Sequence, residues 1–332
     1  MASFSAHLFD LGARVLMKRK FKKAVSIEQA RATMGGEGRR TLPLPKDVTF
    51  TLSSIGGING EWVRAATPGT ATLLYLHGGG YVACSPITHR PITSAYAKLG
   101  FDVYAPDYRL APEHPYPAAV DDAYAVYCAL REQTRGPIVI SGESAGGGLC
   151  LALMLRCLEK NTPLPAAAAV FSPWTDLAAT GDSVLSNQKR EAMLWGPGIH
   201  DGALAYLGSA DARTPQASPL YGDFTGFPPV LIHVGDREIL RDDSTRLAAR
   251  LTQFGIENQL RVFPVVSHAW QLANSFMREA RESLAEAAAF LHKHAAQAPA
   301  AQTFSPVTPP SAEPTTQPLE VETQSPTRQI EI

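Results

Sequence analysis

Short apolar runs recur along this chain with helix-like runs between them, and that alternation narrows the fold more than any other feature of the sequence. Strand-like runs lie at Ala71–Leu76, Asp102–Ala105, Ile138–Ser141, Ala167–Phe171, Val230–Val234 and Gln259–Phe263. Helix-like runs lie at Thr88–Leu99, Ala118–Arg131, Ala145–Lys160, Arg241–Phe254 and Ala269–His294. A strand that returns to the sheet through a helix pairs in parallel with its neighbour, and the helices then cover both faces. Upstream, Thr49–Ile55 and Glu61–Ala65 flank Gly56-Gly57 and Asn59-Gly60, which reads as an antiparallel pair at a sheet edge. The expected class is therefore α/β, a mostly parallel sheet between two layers of helices.

A chain of 332 residues can bury a large core, as one α/β domain or two smaller ones. Lys and Arg number 30 against 31 Asp and Glu, a balance that asks for neither nucleic acid nor another highly charged partner. The one basic cluster, Lys18-Arg19-Lys20 with Lys22-Lys23, reads as a solvated helix face. Cys84, Cys128, Cys150 and Cys157 show no metal or redox spacing and read as buried thiols of a reducing compartment. Leu8, Leu11, Val15 and Leu16 fall at helical spacing, so the first half of residues 1–40 is expected to be a cap helix packed over the main domain, although Gly12 weakens it. His7, Asp10 and Arg14 break the apolar run of a signal peptide, and no stretch reaches the length of a membrane span. A cytoplasmic protein with no stable membrane insertion is the expectation, and a homodimer is allowed. Residues 41–296 are assigned to the main domain, with a cap insertion over residues 178–226 that carries Trp195 and Tyr206. Residues 297–332 turn to Pro, Thr, Gln and Ser and are expected to be disordered.

Chemistry concentrates at Ile138-Val139-Ile140-Ser141-Gly142-Glu143-Ser144-Ala145-Gly146-Gly147-Gly148. A β-branched run, a Gly-x-Ser-x-Gly turn and an Ala/Leu-rich helix together make a nucleophile elbow, which holds Ser144 exposed at the carboxyl edge of the sheet. Small neighbours at Gly142 and Gly146 let strand and helix approach. His77-Gly78-Gly79-Gly80 follows another strand directly. Successive glycines there allow amides to converge on a developing oxyanion, so Gly79 and Gly80 with Ala145 are the candidate donors and Gly78 the reserve. His77 is read as fixing the loop by a hydrogen bond.

These motifs resemble the hormone-sensitive-lipase-like branch of the α/β-hydrolase superfamily. The resemblance is carried by His77-Gly78-Gly79-Gly80-Tyr81, by Asp107-Tyr108-Arg109-Leu110-Ala111-Pro112-Glu113-His114-Pro115-Tyr116-Pro117-Ala118-Ala119 and by Gly142-Glu143-Ser144-Ala145-Gly146. Ser172-Pro173-Trp174-Thr175-Asp176-Leu177 and Ser267-His268 match as well, so the likeness spans about residues 40–295. It implies an eight-stranded, mostly parallel sheet with a helical cap, and hydrolysis of small carboxylic esters without a cofactor.

His268 follows the last strand-like run and is the candidate base; His233 sits inside a strand, and His292 and His294 read as solvated on the last helix. His89, His114 and His200 lie in loops or helix starts. Asp236 and Glu238 both satisfy the chain order serine, acid, histidine. The resemblance aligns Glu238-Ile239-Leu240-Arg241-Asp242-Asp243 with the family's Asp-Pro-Leu-x-Asp run and so implies Glu238 as the acid, with Asp236 capping amides of the turn. Asp107-Tyr108-Arg109 and Glu113 are read as structural, through an internal Asp–Arg pairing, and Glu143 as an anchor. Asp121 and Asp122 are placed on a helix face. The expected activity is ester hydrolysis through Ser144, His268 and Glu238 on short-to-medium acyl chains; lactone or amide hydrolysis, and a small-molecule receptor on the same scaffold, are the alternatives.

Overall fold

In the computed structural model, which describes residues 2–18, 26–35 and 45–298, the apolar runs become strands within three residues of their expected ends. They are β1 (Val48–Ile55), β2 (Ile58–Ala65), β3 (Ala71–Leu76), β4 (Phe101–Pro106), β5 (Ile138–Glu143), β6 (Ala168–Phe171), β7 (Val230–Gly235) and β8 (Asn258–Phe263). All eight form one sheet in the order β1-β2-β4-β3-β5-β6-β7-β8. β2 runs antiparallel to both β1 and β4, and the remaining pairs are parallel. Contacts divide the chain after Ala301, and every described residue belongs to the first unit. Of the tail assigned from composition, Gln297 ends the last helix, and residues 299–332 lie outside the described residues.

The topology decides where chemistry can happen. From β3 the chain crosses outward to β4, then returns to the opposite side of β3 to form β5. Reversal of the crossover direction opens a crevice at the carboxyl ends of β3 and β5. The register pairs Leu76 with Gly142, so the glycine loop after β3 and the elbow after β5 start side by side.

Alternation along each strand builds two cores. Leu74, Leu76, Ile140, Val170 and Ile232 face one way, against α4 (Ala118–Gln133), α5 (Ala145–Glu159) and α8 (Arg241–Gln253). Leu73, Tyr75, Val103, Val139, Ala169 and Leu231 face the other way, against α3 (Arg90–Lys98) and α9 (Arg278–Gln297). Because helices cover both faces, every residue of β3, β5, β6 and β7 is buried. The connection from β6 to β7 carries α6 (Ser183–Ser186) and α7 (Gly196–Leu207).

α5 lies unusually close to the sheet. A Cβ on Gly146 would collide with the Leu76 carbonyl oxygen and lie 2.5 Å from that of His77, so strand end and helix start meet backbone to backbone. Gly146→Val is expected to cost roughly 3 kcal/mol or more, since no side chain can yield there. Urea unfolding checks it: the midpoint falls while the slope stays that of wild type.

Four expectations change. The run at Ala269–His294 is not one helix: Ala269 is left-handed (φ 57°), a 3-10 turn covers Trp270–Ala273, and α9 starts only at Arg278. His294 is buried rather than solvated, and His292 Nε2 donates to the Leu99 carbonyl while the ring stacks on Phe101 at 4.0 Å. Cys150 and Cys157 are buried thiols, but Cys84 and Cys128 are half-exposed.

The fourth concerns α1 (Phe4–Gly12), which continues as a π-helical turn over Ala13–Met17. Its apolar stripe faces solvent, with Leu8 59% and Leu16 63% exposed, while Ala6, Asp10 and Ala13 are buried. Polar anchors choose that face. The Ser3 amide and hydroxyl donate to Glu279, and Asp10 pairs with Arg237. Arg14 donates to the Lys189 and Arg190 carbonyls, and Lys18, far from being solvated, donates to those of Gln188 and Glu191. Arg19 through Lys23 lie outside the described residues.

Candidate active site

Ser144 stands between β5 and α5 with φ 57° and ψ −123°. A non-glycine residue held there costs about 1–3 kcal/mol, which the surrounding structure must offset. Three main-chain bonds do so: its amide donates to Phe171 at 2.8 Å, and its carbonyl accepts from Gly148 at 3.0 Å and Trp174 at 2.9 Å. The backbone is thereby fixed ahead of the first turn of α5, whose amides have no partner within the helix, and Ser144 is buried at 7% exposure where the turn alone predicts an exposed serine.

Across the crevice, Gly79 and Gly80 both have positive φ, 121° and 65°. Gly79 also has no room for a side chain, because a Cβ would strike the Ala83 carbonyl oxygen. The Gly78 amide lies against His89 Nε2, at 3.3 Å. Gly79 and Gly80 give no amide to any bond found among the described residues, which leaves them free to serve an incoming oxyanion. His77 bonds through Nδ1 to the Gly78 carbonyl at 2.8 Å and stacks on Tyr108 at 4.2 Å. Burial, then the neighbouring His89, depresses the His77 imidazole to about 3, so it is neutral and structural.

His268 lies on the loop between β8 and the 3-10 turn, and its Nδ1 is 2.7 Å from Glu238 Oε2. The other carboxylate oxygen of Glu238 accepts from the Ser172 hydroxyl at 2.7 Å and the Gly235 amide at 2.6 Å. Asp236, the competing acid, points elsewhere: Oδ1 accepts from the Val265 amide at 3.0 Å and Oδ2 pairs with Arg190 at 2.9 Å. Asn187 ties the loop from outside, donating to the Asp236 and Glu238 carbonyls. Glu191 accepts from the Ile239 amide at 3.1 Å.

His268 Nε2 does not bond to Ser144 in this structure; it faces Glu143 Oε1 at 3.2 Å. Burial works against the charged imidazole, but Glu143 and Glu238 outweigh it and hold His268 well above the ordinary histidine range. Glu143 is pushed up by burial and brought down further by His268 and His89, to about 2. His89, set aside in the sequence for want of a strand-edge position, comes within 3.1 Å of Glu143 Oε2. No local pattern links residues that far apart in the chain.

Other charged residues of the shared motifs are structural. Arg109 pairs with Asp122 rather than Asp107, at 2.7 Å, and Arg156 pairs with Asp121 at 2.8 Å. Glu113 takes a two-pronged bond from Arg31 on α2 (Ile27–Gly35), which also donates to the Val82 and Ala111 carbonyls. From the insertion, Tyr206 of α7 stacks on Tyr81 at 3.8 Å and 7°. A Cβ on Gly202 would sit 3.8 Å from both the Gly80 carbonyl oxygen and the Trp174 ring, so α7 roofs the glycine loop. Among the described residues, no group of three or more His, Cys, Asp and Glu is disposed to hold a metal ion, and no helix is long and apolar enough to cross a membrane.

A family model described as the alpha/beta hydrolase fold matches residues 73–272. The chain is 39% identical over 272 residues to an acetyl-hydrolase of Streptomyces hygroscopicus, spanning 81% of this chain and 88% of that protein. It is 35% identical over 255 residues to an esterase of Acinetobacter venetianus, spanning 76% and 84%. The crystal structure of a hormone-sensitive lipase from a metagenome library superposes with a TM-score of 0.83 at 34% identity, covering 89% of this chain and 100% of that one.

Proposed function

Because the chain belongs to the α/β-hydrolase fold family, as an esterase of its hormone-sensitive-lipase-like branch, we propose that Ser144, His268 and Glu238 form the triad of a carboxylesterase for short-to-medium acyl esters. The observation that carries this reading is the 2.7 Å pairing of His268 Nδ1 with Glu238, at the same sheet edge as the strained Ser144.

In the first step, Ser144 Oγ attacks the ester carbonyl carbon and its proton passes to His268 Nε2. Glu238 fixes the imidazole and stabilises the imidazolium. The carbonyl oxygen, now an oxyanion, accepts from the amides of Gly79, Gly80 and Ala145; one such donor is typically worth about 2.7–4 kcal/mol of barrier. The bond from carbonyl carbon to alkoxy oxygen then breaks, and His268 returns the proton to the leaving alcohol. In the second step His268 takes a proton from water as the water oxygen attacks the acyl carbon; the bond from that carbon to Ser144 Oγ then breaks, His268 returns the proton to Oγ, and the carboxylic acid leaves.

Chain-length preference rests on the roof of the site. Tyr81 lies against both Tyr206 and Trp174 beside the glycine loop, which suits a short acyl group, and the Streptomyces relative is named an acetyl-hydrolase. A series of p-nitrophenyl esters from acetyl to palmitoyl is expected to give the highest kcat/KM between acetyl and octanoyl. A maximum among the longest chains would overturn the assignment.

A further inference from the structure

Glu143 fills the variable position of the Gly142-x-Ser144 turn, one residue before the nucleophile. Its side chain is buried and lies between two imidazoles, with Oε1 3.2 Å from His268 Nε2 and Oε2 3.1 Å from His89 Nε2. His89 is itself held, with Nδ1 2.9 Å from the Thr88 hydroxyl. On the remaining side is Gly78, where any Cβ would strike Glu143 Oε2. The carboxylate has nowhere to turn.

Counting hydrogens shows what the arrangement needs. His268 Nδ1 donates to Glu238, so in the neutral ring Nε2 carries only a lone pair. A carboxylate oxygen also carries only lone pairs. Two bare acceptors 3.2 Å apart in a buried site repel each other, and one proton between them turns repulsion into a charge-assisted hydrogen bond. Against the pull of burial, the two imidazoles hold the Glu143 carboxyl low while Glu143 and Glu238 hold the His268 ring high, which puts that proton on Nε2. The resting site is then an imidazolium between two carboxylates, the same cation that forms when His268 takes the Ser144 proton.

We propose that Glu143 is a positioning residue for ester hydrolysis, a second carboxylate that holds the Nε2 side of His268 as Glu238 holds the Nδ1 side. The proposal rests on the triad reading given above. The added charge stabilises the imidazolium during attack, and in exchange the free enzyme must lose a proton from Nε2 before His268 can act as a base.

The groups around His268 all bear on its titration. Glu143 comes from β5, Glu238 from the loop after β7, and Glu191 from the segment before α7. Behind Glu143 stand His89 and the Tyr75 hydroxyl of β3. Among the described residues none of the three carboxylates has a Lys or Arg ion-pair partner, so each favours the protonated ring. The imidazolium is the inactive form. Activity therefore rises with pH through a midpoint above the ordinary histidine range, as His268 loses its proton.

The test is the pH profile of kcat/KM for the full-length wild type, Glu143→Gln and Glu143→Asp, on the best p-nitrophenyl ester. Glutamine keeps the shape and one acceptor oxygen but removes the charge. Its acid limb is expected to move down by about one unit or more, giving about fivefold more of its own plateau rate one unit below the wild-type midpoint. Aspartate keeps the charge and is expected to restore most of the wild-type limb. An imidazole NMR titration of wild type, with His268 assigned by His268→Asn, decides the matter if Glu143→Gln fails to fold: the ring is expected to be an imidazolium at neutral pH. A neutral ring there, or a folded Glu143→Gln with an unchanged acid limb, overturns the proposal. Full esterase activity in Ser144→Ala would instead overturn the triad reading, and the NMR titration would still report on Glu143.

Discussion

Ser144→Ala is expected to leave a folded protein whose kcat/KM on its best ester is lower by roughly four to six orders of magnitude. The residue that survives would come from binding and from the oxyanion donors, which the substitution does not touch. The fold should hardly notice. The backbone bonds that fix residue 144 are all main-chain on its side, and its hydroxyl makes no bond found among the described residues. Circular dichroism and thermal unfolding would confirm the fold. Labelling with a fluorophosphonate separates enzyme from scaffold: wild type takes up one label per chain and the variant none. A wild type that binds esters yet never becomes labelled would return the chain to the receptor alternative.

The second large effect separates the two acids. Glu238→Ala is expected to lower kcat by about four orders of magnitude, because the imidazole loses the partner that fixes its tautomer and stabilises its charge. It should also lower stability, since the Ser172 hydroxyl and Gly235 amide are left as buried donors without an acceptor, at about 1–3 kcal/mol each. Glu238→Gln keeps the volume and an acceptor oxygen, so a similar loss of rate with a smaller loss of stability would assign the effect to the charge. Asp236→Ala should stay within about tenfold of wild type. It loses an ion pair to a half-exposed Arg190, a contact worth about 0–1 kcal/mol, and one loop hydrogen bond to Val265. A crippled Asp236→Ala beside a near-normal Glu238→Ala would reverse the assignment. Kinetics are to be measured well below each variant's midpoint of unfolding, so that lost rate is not lost fold.

How much of this was legible in the letters follows from range. Strand periodicity and glycine spacing are local, so β3, β5 and the loops that leave them read directly from the sequence. So did the candidate serine, histidine and oxyanion donors, since a sheet edge is fixed by where a strand stops. Choosing between Asp236 and Glu238 needed the likeness to a family, because residues two apart in one turn satisfy the same chain order. What stayed hidden is pairwise. The spacing of Leu8, Leu11, Val15 and Leu16 says that a helix has an apolar stripe, not that Glu279 and Arg237, far along the chain, will turn that stripe outward. His89 and Glu143 meet only because β3 and β5 are neighbours, and nothing in either local stretch records it. The late start of α9 hangs on one left-handed alanine, a conformation that alanine does not advertise.

The N-terminal helices have a further consequence. Arg14, Lys18 and Arg31 reach segments far along the chain, and most of what they grip is peptide oxygen: Gln188, Lys189, Arg190 and Glu191 for the first two, Val82 and Ala111 for the third. A carbonyl is indifferent to the side chain it belongs to. Substitutions at those six receiving positions can therefore accumulate over evolutionary time without loosening these grips, provided the backbone keeps its path, whereas the three cations and the side-chain pairs Ser3–Glu279, Asp10–Arg237 and Arg31–Glu113 bear the constraint. Drift in the segments that carry those carbonyls and fidelity in the residues that grip them thus become separable, which gives such a scaffold room to vary its surface while keeping its frame.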